Sequence, residues 1–316
     1  MRVFVAGASG AIGKRLVPRL VDAGHSVTGM TRSPDKAQAI EAAGARPAVA
    51  DALDHAAVGE VVRAAEPDVV VHQLTALSNL SGNPRRFERE FAGTNRLRTE
   101  GTDNLLGAAT AAGARRFVAQ SFAGWPYARE GGPVKTEDDP LDTKPPIGEL
   151  ETLAAMRYLE DAVRRAEGME GIVLRYGGFY GPGTGLARGS DDAFQDTIRK
   201  RRFPIVGAGT GVWSFVHIDD AAGATLAAIE RGGPGTYNVV DDDPAPVVEW
   251  LPALADAIGA KPPRRVPTWL GRLLGGELAV AMMTEARGAS NAKAKRELGW
   301  EPSHPSWREG FRTALG

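Results

Sequence analysis

The sequence contains no cysteine, and this absence removes several kinds of chemistry. Disulfides, thiolate nucleophiles and cysteine-based metal sites are all excluded. Histidine offers no substitute, because the five histidines are scattered and form no His-x-x-x-His pair; they are His25, His55, His72, His217 and His304. We therefore expect no metal site. A Gly-x-Ser-x-Gly sequence is also missing, which disfavours a serine hydrolase.

An excess of charge of one sign is missing too. The 38 Lys and Arg residues balance 39 Asp and Glu residues to a net charge of −1. No overall field therefore attracts nucleic acid or an anionic membrane. The dense basic run at Arg199–Arg202 is interpreted as a solvated helix end. We expect a small-molecule substrate and neither nucleic acid nor membrane as a partner.

Long apolar runs are equally scarce. The most apolar late stretch, LGRLLGGELAVAMMT at 270–284, is broken by Arg272 and Glu277. It is shorter than the roughly 20 residues that span a bilayer. The chain also passes from Met1 directly into RVFVAG, without a basic and apolar leader. These two features predict a cytoplasmic location.

What the first 121 residues do contain is a regular alternation. Short β-branched runs are followed by helical stretches, beginning with RVFVAG, IGKRLVPRLVDAG, HSVTGMTR and SPDKAQAIEAAG. The run DVVVHQL is almost continuously apolar, as is typical of a strand buried on both faces. Strands that alternate with helices of this length indicate βαβ units. The fold class predicted is therefore α/β, with a Rossmann-type doubly wound parallel sheet.

The first strand ends in the glycine pattern GASGAIG. The glycines fall at Gly7, Gly10 and Gly13, directly after a strand and before a helix. This spacing lets backbone N–H groups and the helix N-terminus approach a pyrophosphate. A purely structural glycine turn is the alternative. The predicted contacts are Gly7, Ser9, Gly10, Ala11, Ile12 and Gly13.

The end of the second strand bears on the choice of nucleotide. A free ribose diol favours Asp or Glu there, whereas this chain has Arg32, with Lys36 one turn later. Guanidinium and ammonium groups suit a 2′-phosphate. NADP(H) is therefore favoured and NAD(H) stays possible, although both cations could simply lie on a solvated helix start. At the end of the third strand, Asp51 with Ala52 could contact the adenine, or Asp51 could cap the helix that begins near Asp54.

Several further motifs occur in one order along nearly the whole chain: VVVHQLTA, GTNRLRTEGTDNLLGAATAAGARRFVAQS, LRYGGFYGPG, GVWSFVHIDDAA, GTYNVVDD and AKAKRELGWEP. Together with GASGAIG they resemble the extended short-chain dehydrogenase/reductase superfamily, in its epimerase/dehydratase-like branch. The resemblance implies a dinucleotide-binding domain over 1–176, to which part of 210–240 returns, and a smaller, partly interleaved substrate domain over 177–316. It adds Leu74, Thr75 and Asn95 as cofactor contacts. It also implies a possible homodimer through helices near 83–112 and 149–167.

Hydride-transferring members of this superfamily normally place a tyrosine four residues before a lysine. None of the five tyrosines here has a lysine at that spacing. The expected positions fall near Ile147 and Glu151, or near Glu149 and Leu153, and neither register supplies the pair. Tyr158, further along the same helix, is interpreted as a packing residue.

Two residues beside the fifth strand, Ser121 and Tyr127, are the candidates for hydrogen-bonding a carbonyl substrate. His72 is either a proton shuttle or a structural residue. The acidic run 137–139 either supplies a catalytic base or lies in a solvated loop. Tryptophans at 213, 250 and 269 are expected in the core, with pocket contacts as the alternative.

The function predicted is an NADP(H)-binding oxidoreductase or epimerase-like enzyme that acts on a small metabolite with a divergent active site. Reduction of a conjugated or iminium-like group would need no strong proton donor. Two alternatives stay open at this point: a non-catalytic NADP(H)-binding regulatory protein, and a non-redox isomerase that keeps the dinucleotide as structure.

Overall fold

The computed structural model describes residues 1–77, 80–187 and 193–315. Its strands are β1 Arg2–Ala6, β2 Ser26–Thr31, β3 Arg46–Val49, β4 Val69–His72, β5 Arg116–Phe122, β6 Val134–Lys135, β7 Glu170–Tyr176, β8 Gly178–Tyr180, β9 Ile205–Val206, β10 Val212–Trp213, β11 Phe215–His217, β12 Gly235–Val239, β13 Ala245–Pro246, β14 Arg265–Val266 and β15 Gly288–Ala289. Its α-helices are α1 Gly13–Asp22, α2 Ala37–Ala42, α3 His55–Ala65, α4 Phe87–Arg98, α5 Glu100–Ala111, α6 Leu150–Arg164, α7 Ala193–Arg199, α8 Ile218–Arg231, α9 Val247–Ala257, α10 Thr268–Thr284, α11 Ala292–Leu298 and α12 Trp307–Leu315. Short 3₁₀ turns precede three of them, at Pro34–Lys36, Pro84–Arg86 and Ile147–Glu149.

Seven strands form one parallel sheet in the order β12-β7-β5-β4-β1-β2-β3. The register places Val5 of β1 opposite Val71 of β4 on one side and Gly29 of β2 on the other. The chain winds outward in both directions from β1, so the strand order reverses between β1 and β4. The predicted Rossmann-type sheet is confirmed. In such sheets ligands bind beside the carboxyl ends of the strands at the reversal.

Alternation along the strands explains the two apolar layers. In β1, Val3 and Val5 pack on the face covered by α1 and α8, whereas Phe4 and Ala6 pack on the opposite face. β4 is buried along its whole length, as its apolar sequence predicts. Helix α1 presents Leu16, Val17 and Leu20 to the first layer on one stripe. The sheet is therefore held rigidly from both sides.

The second half of the chain contributes to two places. Helix α8 packs against α1, and β12 joins the edge of the main sheet beside β7. A separate core forms around Trp250, Trp307 and Phe311. The domain boundary near residue 176 stays a prediction, although residues from the later half lie in the main sheet.

The single helix expected near 83–112 differs in the structure. It begins with the 3₁₀ turn at Pro84–Arg86 and then divides into α4 and α5 at Thr99, whose φ of −100° and ψ of −84° are not helical. The Thr99 hydroxyl donates to the carbonyl of Asn95 at 3.1 Å, which compensates locally for the interrupted helix.

Within the described ranges, the chain has no helix that combines the length and apolarity needed to cross a bilayer. The cytoplasmic location stays a prediction.

Candidate active site

A cavity of about 780 Å³ lies at the carboxyl edge of the sheet. Its wall includes Gly7 after β1, Gln73 after β4 and Ser121 in β5, so the cavity begins where the strand order reverses. From there it extends to residues of β8, β10 and α10 in the second half of the chain. One continuous space therefore joins the glycine-rich turn to a second, largely aromatic end.

The glycine-rich turn leaves no room for side chains at two positions. Gly7 has a φ of +95°, and a Cβ there would lie 2.6 Å from the carbonyl oxygen of Gln73. A Cβ on Gly13 would lie 2.3 Å from the carbonyl oxygen of Gly7. The turn thus packs directly on the strand ends and on the start of α1. Glycine is the residue that fits both positions.

The same turn presents unused hydrogen-bond donors to the cavity. Among the described residues, the backbone N–H groups of Ser9, Ala11 and Ile12 make no hydrogen bond, although all three residues line the cavity. Gly7 and Ala8 differ, because both donate to the carbonyl of Met30 at 3.2 Å. Free N–H groups at a helix start form an anion site. The residues present therefore fit a dinucleotide pyrophosphate.

Cations lie at one end of this region. Arg32 and Lys36 both line the cavity, are exposed, and have no ion pair with any residue that the structure describes. The neighbouring Ser33 hydroxyl makes no capping bond to the 3₁₀ turn that follows it. The charges of Arg32 and Lys36 are thus available to a ligand.

Asp51 also lines the cavity and accepts a hydrogen bond from the N–H of Leu53 at 3.0 Å. The cap of α3 is Asp54, which accepts from the N–H of Ala57 at 3.0 Å. The interpretation of Asp51 as the cap of α3 is therefore wrong, because Asp54 caps that helix.

Most of the predicted cofactor contacts meet in this cavity. Those that line it are Gly7, Ser9, Gly10, Ala11, Ile12, Arg32, Lys36, Asp51, Ala52, Leu74 and Thr75. Gly13 lies behind the turn, where its role is close packing. Asn95 is turned away, since its Nδ2 donates to Thr152 Oγ1 at 3.1 Å. The structure thus gathers the set except for these two residues.

The opposite end of the cavity is built from aromatic side chains. The ring of Trp125 lies 4.4 Å from that of Phe122 and 5.0 Å from that of Trp213. Trp213 in turn lies 4.7 Å from Trp250. Further lining rings are Phe87, Phe91, Phe179, Phe194, Phe203 and Phe215. Trp269 differs from the expectation of a core position, because it is 66% exposed on α10.

The helix expected to carry the proton donor does not reach the cavity. No residue of α6 lines it, and none of the five tyrosines does, within the part of the chain that the structure describes. Tyr158 is exposed and donates to Asp103 at 2.7 Å. Ile147, one of the expected positions, is 85% exposed. The only lysine in the described cavity wall is Lys36, at the nucleotide end.

Ser121 and Tyr127 belong to one buried polar network. Ser121 Oγ donates to Glu160 at 2.6 Å, and Glu160 forms a paired ion bond with Arg175, at 2.9 Å to Nε and 2.6 Å to Nη2. Arg175 Nη1 donates to the hydroxyl of Tyr127 at 3.2 Å. The Tyr127 hydroxyl also donates to the side-chain oxygen of Asn238. The network ties β5, α6, β7 and β12 together.

The two catalytic candidates differ in their access to the cavity. Ser121 lines it, with its hydroxyl proton directed to Glu160. Tyr127 is 0% exposed and lies outside the wall, so its hydroxyl does not reach the cavity in this geometry. Burial raises the pKa of Tyr127 to about 12, although the charge of Arg175 opposes this. Tyr127 therefore holds its proton at neutral pH.

Arg98 is a residue of the wall that sequence reasoning missed. It is 6% exposed, yet it lines the cavity, as Ser121 and Phe91 also do. The buried positions of α4 are Phe91, Thr94 and Arg98. A signal was available, because these positions follow helical spacing and an arginine on an otherwise inward stripe is unusual.

Other weighed residues have structural contacts. The neutral ring of His72 donates from Nε2 to the carbonyl of Leu97 and accepts at Nδ1 from the N–H of Leu74, both at 3.2 Å. Burial lowers the pKa of His72 to about 4. Glu137 accepts from the N–H of Asn238 at 2.7 Å and does not line the cavity. Neither group is placed for proton transfer to a ligand there.

The histidines are less scattered in space than in sequence. His217, Asp220 and His304 place possible metal-ligand atoms within 4.8 Å of one another, away from the cavity wall. Asp220 already accepts from the N–H groups of Ser303 and His304, both at 2.9 Å. These bonds account for the cluster as an attachment of the chain's last segment to α8.

Comparison with known proteins gives matches over most of the chain. The profile of the "NAD dependent epimerase/dehydratase family" matches residues 3–240. A "3-diazoavenalumate denitrifying reductase" from Streptomyces sp is 49% identical, over 98% of this chain and 99% of that relative. A "4-hydroxy-2-methyl-3-oxo-4-farnesyl-3,4-dihydroquinoline-1-oxide ketoreductase" from Stigmatella aurantiaca is 30% identical, over 95% and 92%.

Solved structures agree in fold. UDP-glucose 4-epimerase from Thermotoga maritima, solved with UDP-glucose, superimposes with a TM-score of 0.73 at 24% identity, over 99% of this chain and 97% of that one. UDP-glucose 4-epimerase from Thermus thermophilus, in complex with NAD, gives a TM-score of 0.72 at 24% identity, over the same shares of 99% and 97%. At this identity the likeness concerns the architecture alone.

Proposed function

This chain belongs to the NAD-dependent epimerase/dehydratase family, and from that premise we propose that it is an NADP(H)-dependent reductase that replaces the diazo group of an aromatic substrate by hydrogen. Membership confirms the superfamily that the sequence motifs resembled. The chain is an enzyme of the NAD(P)-dependent oxidoreductase or epimerase class, with a nicotinamide dinucleotide as its cofactor.

The preference for NADP(H) is supported by charge at the nucleotide end. Arg32 and Lys36 face the cavity without ion pairs among the described residues. No acidic residue stands at the end of β2, where a ribose diol would be held. A 2′-phosphate would supply the missing counter-charge.

The proposed substrate class follows from the lack of a proton donor. When bound, the nicotinamide would supply a hydride, so that an aryl diazonium and NADPH would yield the arene, N₂ and NADP⁺. A ketone that accepts hydride becomes an alkoxide and needs an acid nearby. A cationic diazonium needs no proton to balance the added hydride. A cavity wall without tyrosine suits the second case.

The chain's own residues would then bind and orient. The free N–H groups of Ser9, Ala11 and Ile12 hold the pyrophosphate, and the rings around Trp125 pack against an aromatic substrate and exclude water. Ser121 donates its hydroxyl proton in a hydrogen bond to Glu160 and lines the cavity.

One observation carries the proposal. The described cavity runs unbroken from an intact dinucleotide turn to an aromatic end, and its wall has neither a tyrosine nor a lysine beside Ser121. The relative at 49% identity is named as a reductase that acts on a diazo compound by denitrification, which is the chemistry such a wall permits.

Deuterium transfer tests the proposal. The protein would be mixed with benzenediazonium and NADPH that carries deuterium on one or the other face of C4, and deuterated benzene and N₂ would be measured by mass spectrometry. We expect label from one face only, because background reduction in solution lacks that preference. Equal label from both faces, or turnover of ketones with no turnover of diazonium, contradicts the proposal.

We also propose a homodimer through the faces near α4, α5 and α6. Its support is the exposure of apolar groups there: Ile147 is 85% exposed, Leu150 is 48% exposed and Tyr158 is 44% exposed. Light scattering after size-exclusion chromatography would measure the mass. A monomer at micromolar concentration contradicts this part.

A further inference from the structure

Arg98 is a buried charge without a partner. Over residues 1–77, 80–187 and 193–315, its guanidinium makes no hydrogen bond and no ion pair, and Nη1 is shielded from solvent. Buried guanidinium groups are normally paired, because removing a charge from water is costly. Nε and Nη2 are not among the shielded atoms, so the missing partner is expected to be a ligand that reaches these two nitrogens from the cavity.

The nearby carboxylate is already engaged. Glu160 exerts an attractive charge on Arg98, but its oxygens accept from Ser121 and from both nitrogens that Arg175 directs at it. Two arginines thus share one carboxylate behind the cavity wall, and of these three groups only Arg98 lines the cavity. The result is one uncompensated positive charge at the side of the cavity.

We propose that Arg98 binds an anionic oxygen of the substrate, a phenolate or a carboxylate that lies beside the reacting carbon. This inference rests on the proposed function, because it specifies which aromatic diazo compounds the site accepts. A guanidinium fork can hold such an oxygen through paired, charge-assisted bonds. Its fixed charge also stabilises electron density that the substrate gains during reduction.

The protonation of Arg98 is compatible with this role. Burial lowers the pKa of Arg98 to about 10, while Glu160 opposes the shift. The group is thus charged at neutral pH and exchanges no proton in the reaction. Arg98 therefore recognises the substrate and does not act as the proton donor that the cavity wall lacks.

A nucleotide partner for Arg98 is less favoured. The pyrophosphate has the free N–H groups of the glycine-rich turn, and a 2′-phosphate has Arg32 and Lys36. The remaining parts of a reduced dinucleotide, namely its riboses, adenine and nicotinamide, are neutral and would leave the charge of Arg98 uncompensated.

A paired-substrate experiment tests the inference. The kcat/KM of the wild type, Arg98→Met, Arg98→Lys and the control Arg89→Met would be measured for 2-hydroxybenzenediazonium, which is ionised at neutral pH, and for its 2-methoxy counterpart. Arg89 lies on the same helix, is exposed and does not line the cavity. We expect the wild type and Arg89→Met to favour the hydroxy compound by about 10- to 100-fold. Arg98→Met should lower this ratio to within about twofold, with Arg98→Lys between them.

Binding supplies a readout that does not depend on turnover. Salicylate, as a dead-end ligand with NADP⁺, would be titrated by the fluorescence of the cavity tryptophans. We expect Arg98→Met to weaken salicylate by about tenfold and to leave the Kd for NADPH within about twofold. Retained NADPH binding also shows that the variant folds.

The outcomes separate cleanly. Unchanged discrimination with weakened NADPH binding would assign Arg98 to the cofactor and overturn the inference, as would equal salicylate binding in the wild type and Arg98→Met. If the wild type reduces neither diazonium while salicylate binding still depends on Arg98, the proposed reaction fails and the anion site stands.

Discussion

The two ends of the cavity differ in how they are built. At the nucleotide end, consecutive residues of one turn and one strand end supply glycines, free N–H groups and cations. At the substrate end, the wall combines β5, α4, β10 and α9 with no tyrosine among the described lining residues. A local backbone motif thus lies beside a wall built from side chains of distant segments. The proposed function treats cofactor binding and proton transfer as separable properties of this architecture.

The largest effect on ligand binding is expected at the nucleotide end. Gly13→Ala would place a Cβ 2.3 Å from the carbonyl oxygen of Gly7, so the turn must shift. We expect NADPH affinity to fall by about 100-fold or more, since free N–H groups lose their alignment. Gly59→Ala in α3 is the control, because nothing lies within 4 Å of a Cβ there and Gly59 does not line the cavity. Equal NADPH binding by both variants, measured by fluorescence titration, would show that the turn does not determine affinity.

The network behind the substrate end should respond in stability. Glu160→Gln removes the charge that pairs with Arg175 and leaves that guanidinium buried and unpaired. The free energy of unfolding should fall by about 3–5 kcal/mol. Asp161→Asn, next to it but exposed and paired with Arg164, should change it by less than about 0.5 kcal/mol. Urea unfolding measures the free energy of unfolding of both variants. A similar small loss in each would show that the Glu160 network does not stabilise the fold.

The pH dependence of stability should report His72. Burial lowers its folded-state pKa to about 4, against 6.5 in the unfolded chain. The unfolded state therefore binds the proton first, and this contribution is complete above pH 6.5 and is lost as pH falls toward 4. Between pH 7 and pH 4.5 the loss should be about 2–3 kcal/mol. His72→Gln should flatten this part of the profile; an unchanged slope in that variant would assign it to other groups.

The smallest effects are expected at Tyr158 and Tyr127, two tyrosines that do not line the cavity. Tyr158→Phe removes an exposed bond to Asp103 and should change neither kcat nor stability beyond about 0.5 kcal/mol. Tyr127→Phe should cost about 1–2 kcal/mol of stability, through its bonds with Arg175 and Asn238, while hydride transfer persists. Stopped-flow measurements follow hydride transfer in both variants. If either folded variant loses hydride transfer, that tyrosine is a proton donor, which contradicts the proposed site.

Much of the nucleotide end was predictable because its determinants are local. The spacing of Gly7, Gly10 and Gly13 and the change to Arg32 at the end of β2 are visible in short windows of sequence. The alternation of strands and helices likewise indicated the sheet, whose topology then places the turn at the strand-order reversal. Neither conclusion required knowledge of distant contacts.

The other end was decided by tertiary packing. Tyr127 was predicted to contact the substrate because it follows β5. In the fold, its hydroxyl donates a hydrogen bond to Asn238 of β12 instead. Sequence reasoning overlooked Arg98, because only the packing of α4, β5 and α6 shows that its guanidinium has no partner among the described residues. It also predicted one helix where Thr99 separates α4 from α5.

By itself, then, the sequence determined the parallel sheet, the glycine-rich turn and the absence of a tyrosine–lysine pair, because each is a matter of residue type and short spacing. Tertiary structure decided which side chains face the cavity and which form hydrogen bonds or ion pairs in the Glu160 network. The physical reason is that hydrogen bonds and ion pairs between distant segments depend on how helices and strands pack. The chemistry available to a ligand is what that packing leaves unpaired.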